Sequence, residues 1–312
     1  MLRSMKLLTF FLFFNFTVEA QTFEEWKRSY AKRASKFGLP QSFTLKMLED
    51  VKLESKVLER DKNQITSSKK VNYPTFIKKW MRENPSRIEL GKKMLKENLA
   101  LLEKVEQKFG VQKEVIVSLW GVETLYGRIT GDYNLLQSLS TLAYDGRRRK
   151  FFEIQLNAAL RLIKGGHVTK EKLKGSWAGA TGHCQFMPSN IPVYAVDFDG
   201  DGKKDIWSNK VDIFASIANY LKKVGWKKGK SIGSLAFNTR QVDIPNNIYR
   251  TKKQYNELGF RNSDGNFLKG GTWKKRMFAP ISMINAPVVL RGSNYRPLIK
   301  WNNSSLFAAF NI

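Results

Sequence analysis

Cysteine is almost missing from this sequence. The single one, Cys184, excludes an internal disulfide and a cysteine-based zinc site. Histidine is nearly as scarce: His167 and His183 are the whole supply, which argues against His-rich metal catalysis. Acidic residues number 27 against 54 lysines and arginines, so the formal net charge is +27. Beyond residue 20, no segment reaches the roughly 18 consecutive apolar residues of a membrane helix. The Gly-Lys-Ser/Thr ending of a phosphate loop is also lacking. Against these absences stand 42% hydrophobic and 12% aromatic residues, enough for a packed core and too many for a disordered chain.

The first twenty residues read as a separate unit. Arg3 and Lys6 precede the apolar stretch Leu7 to Phe16, and Val18-Glu19-Ala20 reads as a small-x-small cleavage site before Gln21. This order is expected of a secretory signal peptide. With no cysteine near the cleavage site, the expected product is exported, periplasmic and soluble rather than lipid-anchored, with no transmembrane segment. Outside the cytosol, a basic surface meets cell-wall polymers and anionic membranes. The lysines are scattered, and no basic-aromatic module is present, so nucleic acid is not the expected partner. No pattern identifies a protein partner.

Four regions follow from the punctuation: the signal peptide (1–20), a helical N-terminal region (21–110), a central region (111–230) and a C-terminal region (231–312). Helices are expected over Phe23 to Phe37, Ser42 to Leu58 and Asn84 to Phe109, with a polar loop from Asp61 to Lys70. The central region carries helical patterns at Val111 to Tyr126, Phe151 to Ile163 and Val211 to Val224, separated by loops rich in Gly, Ser and Asp. After residue 231, prolines and glycines punctuate short β-prone runs such as Phe278 to Met283 and Val288 to Leu290, as in a small antiparallel sheet.

Chemistry concentrates in three segments. In Gly121-Val122-Glu123-Thr124-Leu125-Tyr126-Gly127, Glu123 follows Trp120, Leu119 and Ile116 at spacings that put a carboxyl group on an apolar helix face. Such a group is costly unless paired or functional, and desolvation favours its protonated form, as a general acid requires. The glycines on either side give room for a polymer or another backbone to approach. The second segment, Leu173 to Ser189, is rich in small residues that shape a cleft wall, with Ser176 and Gln185 as hydrogen-bonding groups. Its His183-Cys184 pair is not expected to be a nucleophilic couple, because adjacent residues rarely face each other. In the third, Asp197, Asp199, Asp201 and Asp205 occupy positions one, three, five and nine of an EF-hand-like loop, with Gly202 at six and the Lys203 carbonyl at seven. Ser208 stands where the bidentate Glu belongs, and Asp212 is the substitute in an enlarged loop. A structural Ca2+ and an acidic turn held by Asx hydrogen bonds are both compatible with this pattern.

The first two segments resemble the lytic murein transglycosylase B family (glycoside hydrolase family 103). The likeness extends to Val57-Leu58-Glu59-Arg60-Asp61 and to Tyr295-Arg296-Pro297-Leu298-Ile299-Lys300-Trp301-Asn302-Asn303-Ser304. It implies a mainly helical α+β protein with a lysozyme-like core, a helical N-terminal region and a small C-terminal antiparallel β region. It also implies lytic cleavage of the MurNAc–GlcNAc β-1,4 bond of peptidoglycan glycan strands to a 1,6-anhydromuramyl end. Glu123 would be the single acid/base, Ser176, Gln185, Tyr220, Trp301 and Asn302 the substrate-contacting residues, and no cofactor would be required. Some members have a longer EF-hand-like loop. Two departures stand out: Cys184 replaces a smaller or polar residue, and Trp301 replaces a tyrosine, keeping a stacking surface but losing a hydroxyl. A hydrolytic muramidase and a non-catalytic wall-binding protein are the alternatives.

Overall fold

The computed structural model describes residues 21–66, 86–240, 245, 248–279 and 287–311. The expected signal peptide, the end of the expected polar loop and residues 280–283 of one β-prone run lie outside the described residues.

The first helix, Phe23–Ser35, opens with a capping box in which Thr22 and Glu25 satisfy each other's backbone N–H groups. Trp26 and Tyr30 bury completely on its inner face, stacked 5.2 Å apart. The expected run from Ser42 to Leu58 is two helices, Gln41–Leu48 and Ser55–Thr66. The break follows from Lys27, a buried lysine whose Nζ donates to the Leu48 and Val51 carbonyls at 3.1 and 3.2 Å and so ends the helix there. The expected loop from Asp61 is instead helical as far as Thr66. Asp61 points inward, where Arg148 Nη2 lies 2.6 Å from Oδ1 and the Arg147 guanidinium holds Oδ2. A charge that looked solvated is a buried anchor between two helices.

Ser86 and Glu89 form another capping box, but the helical run to Phe109 is interrupted at Asn98, whose side-chain amide donates to the Met94 carbonyl at 2.7 Å. Gly110, at φ 72°, closes it in the left-handed conformation that glycine adopts without strain. Helices Lys113–Thr124, Leu135–Asp145, Arg149–Lys164 and Lys210–Lys223 complete the central bundle. One hydrophobic core runs through it from Trp26 to Ala309, so the helices at both ends of the chain share it with the central ones.

The C-terminal region forms the expected antiparallel sheet, four strands in the order Phe260–Arg261, Gly233–Asn238, Pro287–Arg291 and Met277–Phe278. Val288 and Leu290 face a second small core with Ala236, Tyr255, Phe260 and Met277, while Val289 joins the main core. Both faces of that strand are covered, which is why its sequence is continuously apolar rather than alternating. The short helix Tyr295–Trp301 then returns the chain to the central bundle.

Asp61→Asn is expected to lower the unfolding free energy by about 2 kcal/mol, because it leaves two arginines without their buried partner. Separating the exposed Lys93–Glu97 pair should cost about 0.5 kcal/mol or less. Urea unfolding of both variants checks the contrast.

Candidate active site

Glu123 is the penultimate residue of the Lys113–Thr124 helix, with Ile116, Leu119 and Trp120 all buried behind it as its spacing predicts. Its Oε1 accepts a hydrogen bond of 2.6 Å from Trp301 Nε1, on the helix Tyr295–Trp301. Burial pushes its pKa up to about 7, and the Trp301 bond opposes that rise. The indole N–H is a donor only. Oε1 is therefore the accepting oxygen, and in the protonated acid the proton resides on Oε2. The tyrosine-to-tryptophan departure does not remove a polar contact; the indole nitrogen supplies one.

Trp301 is held by aromatic neighbours. Tyr220 meets it at 4.8 Å and 71°, and Phe186 at 5.4 Å. The Tyr220 hydroxyl donates to the Lys300 carbonyl at 2.7 Å, and burial lifts its pKa to about 12. This hydroxyl is thus occupied in fixing the end of the Trp301 helix. Asn302 caps the same helix and is exposed, free to meet a ligand. Ser176 Oγ accepts from the Ala180 N–H at 3.0 Å, which leaves its own proton to donate. Gln185 adopts φ 48° and spends its amide on the Thr130 and Gly182 carbonyls at 2.9 and 3.0 Å. Its Oε1 remains an available acceptor.

The glycines beside Glu123 have a different use from the expected one. A Cβ on Gly121 would lie 2.5 Å from the Tyr126 ring, and one on Gly127 would lie 2.2 Å from His183. These positions admit the protein's own side chains rather than a polymer. His183 accepts a 3.0 Å hydrogen bond at Nδ1 from Trp120 Nε1 and lies nearly parallel to that indole. Burial lowers its pKa, consistent with an unprotonated Nδ1. Thr124 Oγ1 reaches the His183 carbonyl at 3.3 Å and accepts from the Gly127 N–H at 3.1 Å. Trp120, Thr124 and His183 together lock the small-residue segment onto the Glu123 helix, a role that spacing alone did not reveal. Cys184 is fully buried with a raised pKa, so it is no nucleophile; the core accommodates its sulfur 3.7 Å from the Ile213 carbonyl.

In the acidic loop, ligand atoms of Asp197, Asp199 and Asp212 lie within 4.8 Å of one another. Asp212 is completely buried and accepts from the Phe198 and Asp205 N–H groups, both at 2.8 Å. Burial raises its pKa, as do the charges of Asp199 and Asp197. Asp201 and Asp205 stand outside this trio: Asp201 Oδ1 accepts from the Lys203 N–H, and Asp205 is engaged by Trp207 and Ser208. Hard carboxylate oxygens fit Ca2+, with Asp197, Asp199 and Asp212 as the residues that would hold it, while the Gly200, Gly202 and Asp201 N–H groups and the Asn209 amide already donate to Asp197 and Asp199 as in an Asx-held acidic turn.

The transglycosylase SLT domain model matches residues 22–310. The chain belongs to that family. It is 34% identical over 235 residues to the membrane-bound lytic murein transglycosylase B of Escherichia coli, an alignment covering 73% of this chain and 64% of that protein. The chain thus spans somewhat under two thirds of that relative's length. The structure of SltB3 from Pseudomonas aeruginosa in complex with NAG-NAM-pentapeptide superposes with a TM-score of 0.83 at 31% identity, covering 93% of this chain and 78% of that one. The E. coli lytic transglycosylase Slt35 in complex with calcium gives a TM-score of 0.76 at 26% identity, covering 91% and 89%. The lysozyme-like α+β architecture expected of the family is therefore the one this member has.

Two outcomes follow. Glu123 ionises near 4.5 unfolded and near 7 folded, so the wild type loses stability relative to Glu123→Gln as pH rises from about 4.5 to 7, and the gap then stays constant. The variant should be more stable than wild type by about 1–3 kcal/mol at pH 8, with little difference at pH 4. Thermal unfolding at both pH values checks this. Millimolar calcium should raise the melting temperature of chelator-treated protein, and Asp212→Asn should abolish that rise.

Proposed function

We propose that this chain is a peptidoglycan lytic transglycosylase that cleaves the MurNAc–GlcNAc β-1,4 bond with formation of a 1,6-anhydromuramyl end. The observation that carries the reading is a half-buried carboxyl group whose pKa is lifted to about 7 by burial, with no carboxylate among the described residues contributing to the shift. Glycosidases that activate water or form a covalent intermediate normally need a second carboxylate within about 5–9.5 Å. A single acid suffices when the substrate supplies the nucleophile.

Glu123 begins protonated. Oε2 delivers its proton to the glycosidic oxygen as the bond from C1 of MurNAc breaks and positive charge develops on the ring. The resulting carboxylate, with Oε1 still held by Trp301, takes the proton of the C6 hydroxyl while O6 bonds to C1 of the same ring. The acid is regenerated and no water is consumed. Intramolecular attack gains the advantage of proximity, worth about 7–11 kcal/mol in favourable cases. A pKa near the working pH lets one group serve in both directions. The Ser176 hydroxyl, Gln185 Oε1 and the exposed Asn302 amide are suited to hold the sugar, and Tyr220 acts through Trp301. No cofactor enters the chemistry, and the Cys184 thiol feels the charges of both Glu123 and Asp212 in the acidic loop.

The substrate places the protein at the cell wall. Among the described residues, no helix is long and apolar enough to cross a membrane. The basic-apolar-small order of residues 1–20 supports export to the periplasm as a soluble protein, and the positive charge supports capture of the anionic wall.

Digestion of purified sacculi followed by mass analysis should yield muropeptides lighter by one water than the hydrolysed sugars. Glu123→Gln should lose at least about 10²-fold in turnover while keeping its fold and glycan affinity. Reducing ends alone would establish a muramidase instead, and near-normal activity of the variant would remove Glu123 from the chemistry.

A further inference from the structure

Away from the Glu123 cleft, positive charge is packed at one place in the C-terminal region with no counter-ion among the described residues. Met277 pairs with Leu290 across antiparallel strands, and one step further along the Arg291 N–H donates to the Arg276 carbonyl at 2.8 Å. Arg276 and Arg291 are therefore direct cross-strand neighbours on one face of the sheet. Like charges placed opposite each other are destabilising. Both side chains are half-buried, which adds desolvation to the repulsion. Arg276 stacks on Tyr249 at 4.8 Å and Arg291 on Tyr295 at 5.0 Å. Arg291 Nε is shielded from solvent and has no acceptor among the described residues. Arg296, one residue along the next helix from Tyr295, adds a third guanidinium to the same open cavity of about 320 Å3, which no acidic residue lines among the described residues.

An anion is the missing partner of such an arrangement. Guanidinium forks match the planar geometry of a carboxylate, and the two tyrosine rings offer apolar surface to the chain that carries it. The cavity takes Tyr295 and Arg296 from the very helix whose Trp301 holds Glu123. A helix with its side chains is about 10–12 Å across, and five extended residues reach about 17 Å. A peptide attached to a sugar at Glu123 is thus long enough to pass this helix. We propose that the Arg276–Arg291–Arg296 pocket binds a carboxylate of the peptide stem borne by the glycan. This rests on the peptidoglycan reading of the Glu123 cleft and adds to it a second point of recognition.

Calorimetry with a GlcNAc–MurNAc-pentapeptide tests the pocket, against the peptide-free disaccharide and against the same pentapeptide with its carboxylates amidated. The wild type should bind the free-acid form about tenfold more tightly than either control, as expected of a charge-assisted contact. In Arg276→Gln/Arg291→Gln that advantage should vanish, with affinity for the peptide-free sugar unchanged and a melting temperature no lower than wild type, since the removed charges repel. An advantage that survives the double substitution, or is absent in the wild type, overturns the proposal. If the double variant fails to fold, the exposed Arg296→Gln serves: its stem advantage should fall at least about threefold, and an unchanged advantage again overturns the proposal. Cleavage of peptide-free glycan strands reads the Glu123 chemistry separately. Turnover without stem preference defeats only the pocket, and stem preference without turnover defeats only the transglycosylase.

Discussion

The bond between Trp301 and Glu123 joins residues 178 positions apart, and the arrangement of the site depends on it. Its donor comes from a helix that exists only because the chain returns from the C-terminal sheet to the central bundle. Its acceptor sits at the end of a helix buried on nearly every side. Closing so long a loop is entropically costly, and the cost is met by the packing of Tyr295, Leu298, Phe307 and Ala308 into the main core. The small sheet is therefore part of the Glu123 site in a mechanical sense: it fixes where the last helices start, and so where the indole nitrogen ends up.

A second constraint acts from the other side of Glu123. The chain leaves its helix through Leu125 at φ 50° and Tyr126 at φ 59°, conformations that side-chain-bearing residues adopt only under compulsion. The compulsion is visible. Tyr126 fills the space that Gly121 and Gly91 leave open, and its hydroxyl donates to the Arg87 carbonyl at 2.6 Å, while Arg87 reaches back to the Gly121 carbonyl at 3.0 Å. The reversal after Glu123 is thus clamped by the N-terminal helices. A carboxyl group at the end of a freely fraying helix would turn to water and regain an ordinary pKa. Here the turn cannot relax, and the group stays in the environment that makes it an acid near neutral pH.

Much of this was legible in the sequence, for reasons that separate cleanly. Periodicity exposed Glu123 on an apolar face, because helix spacing is local and the core behind it is apolar. The glycine stops at Gly110 and Gly225 were equally local, since backbone sign is a property of the residue itself. What escaped the sequence were contacts between distant elements. Asp61 read as loop because its two arginines lie more than eighty residues away. Lys27 ends a helix to which it does not belong. The glycines around Glu123 read as room for a polymer or another backbone, whereas the space they leave is taken by the side chains of Tyr126 and His183. Trp301 read as a platform lacking a hydroxyl, and only the geometry turns its ring nitrogen toward Glu123. In the acidic loop the spacing pointed to five aspartates, while the fold gathers three and leaves Asp201 and Asp205 to local turns.

The composition acquires a sharper meaning in this light. With acids outnumbered two to one by bases, a buried carboxylate is a scarce partner, and the most enclosed ones occupy decisive places. Asp61 fastens the N-terminal helices to the central ones, Asp212 closes the acidic loop from inside by taking two backbone N–H groups, and in the proposed reaction Glu123 carries the transferable proton. Each is in a different electrostatic condition. Asp61 is paired with two cations, Asp212 is crowded by like charges, and no charge among the described residues contributes to the shift of Glu123. That last isolation is what the chemistry needs: a nearby cation would hold Glu123 ionised and a nearby carboxylate would hold it protonated, and either would disable one half of an acid/base cycle run by one group.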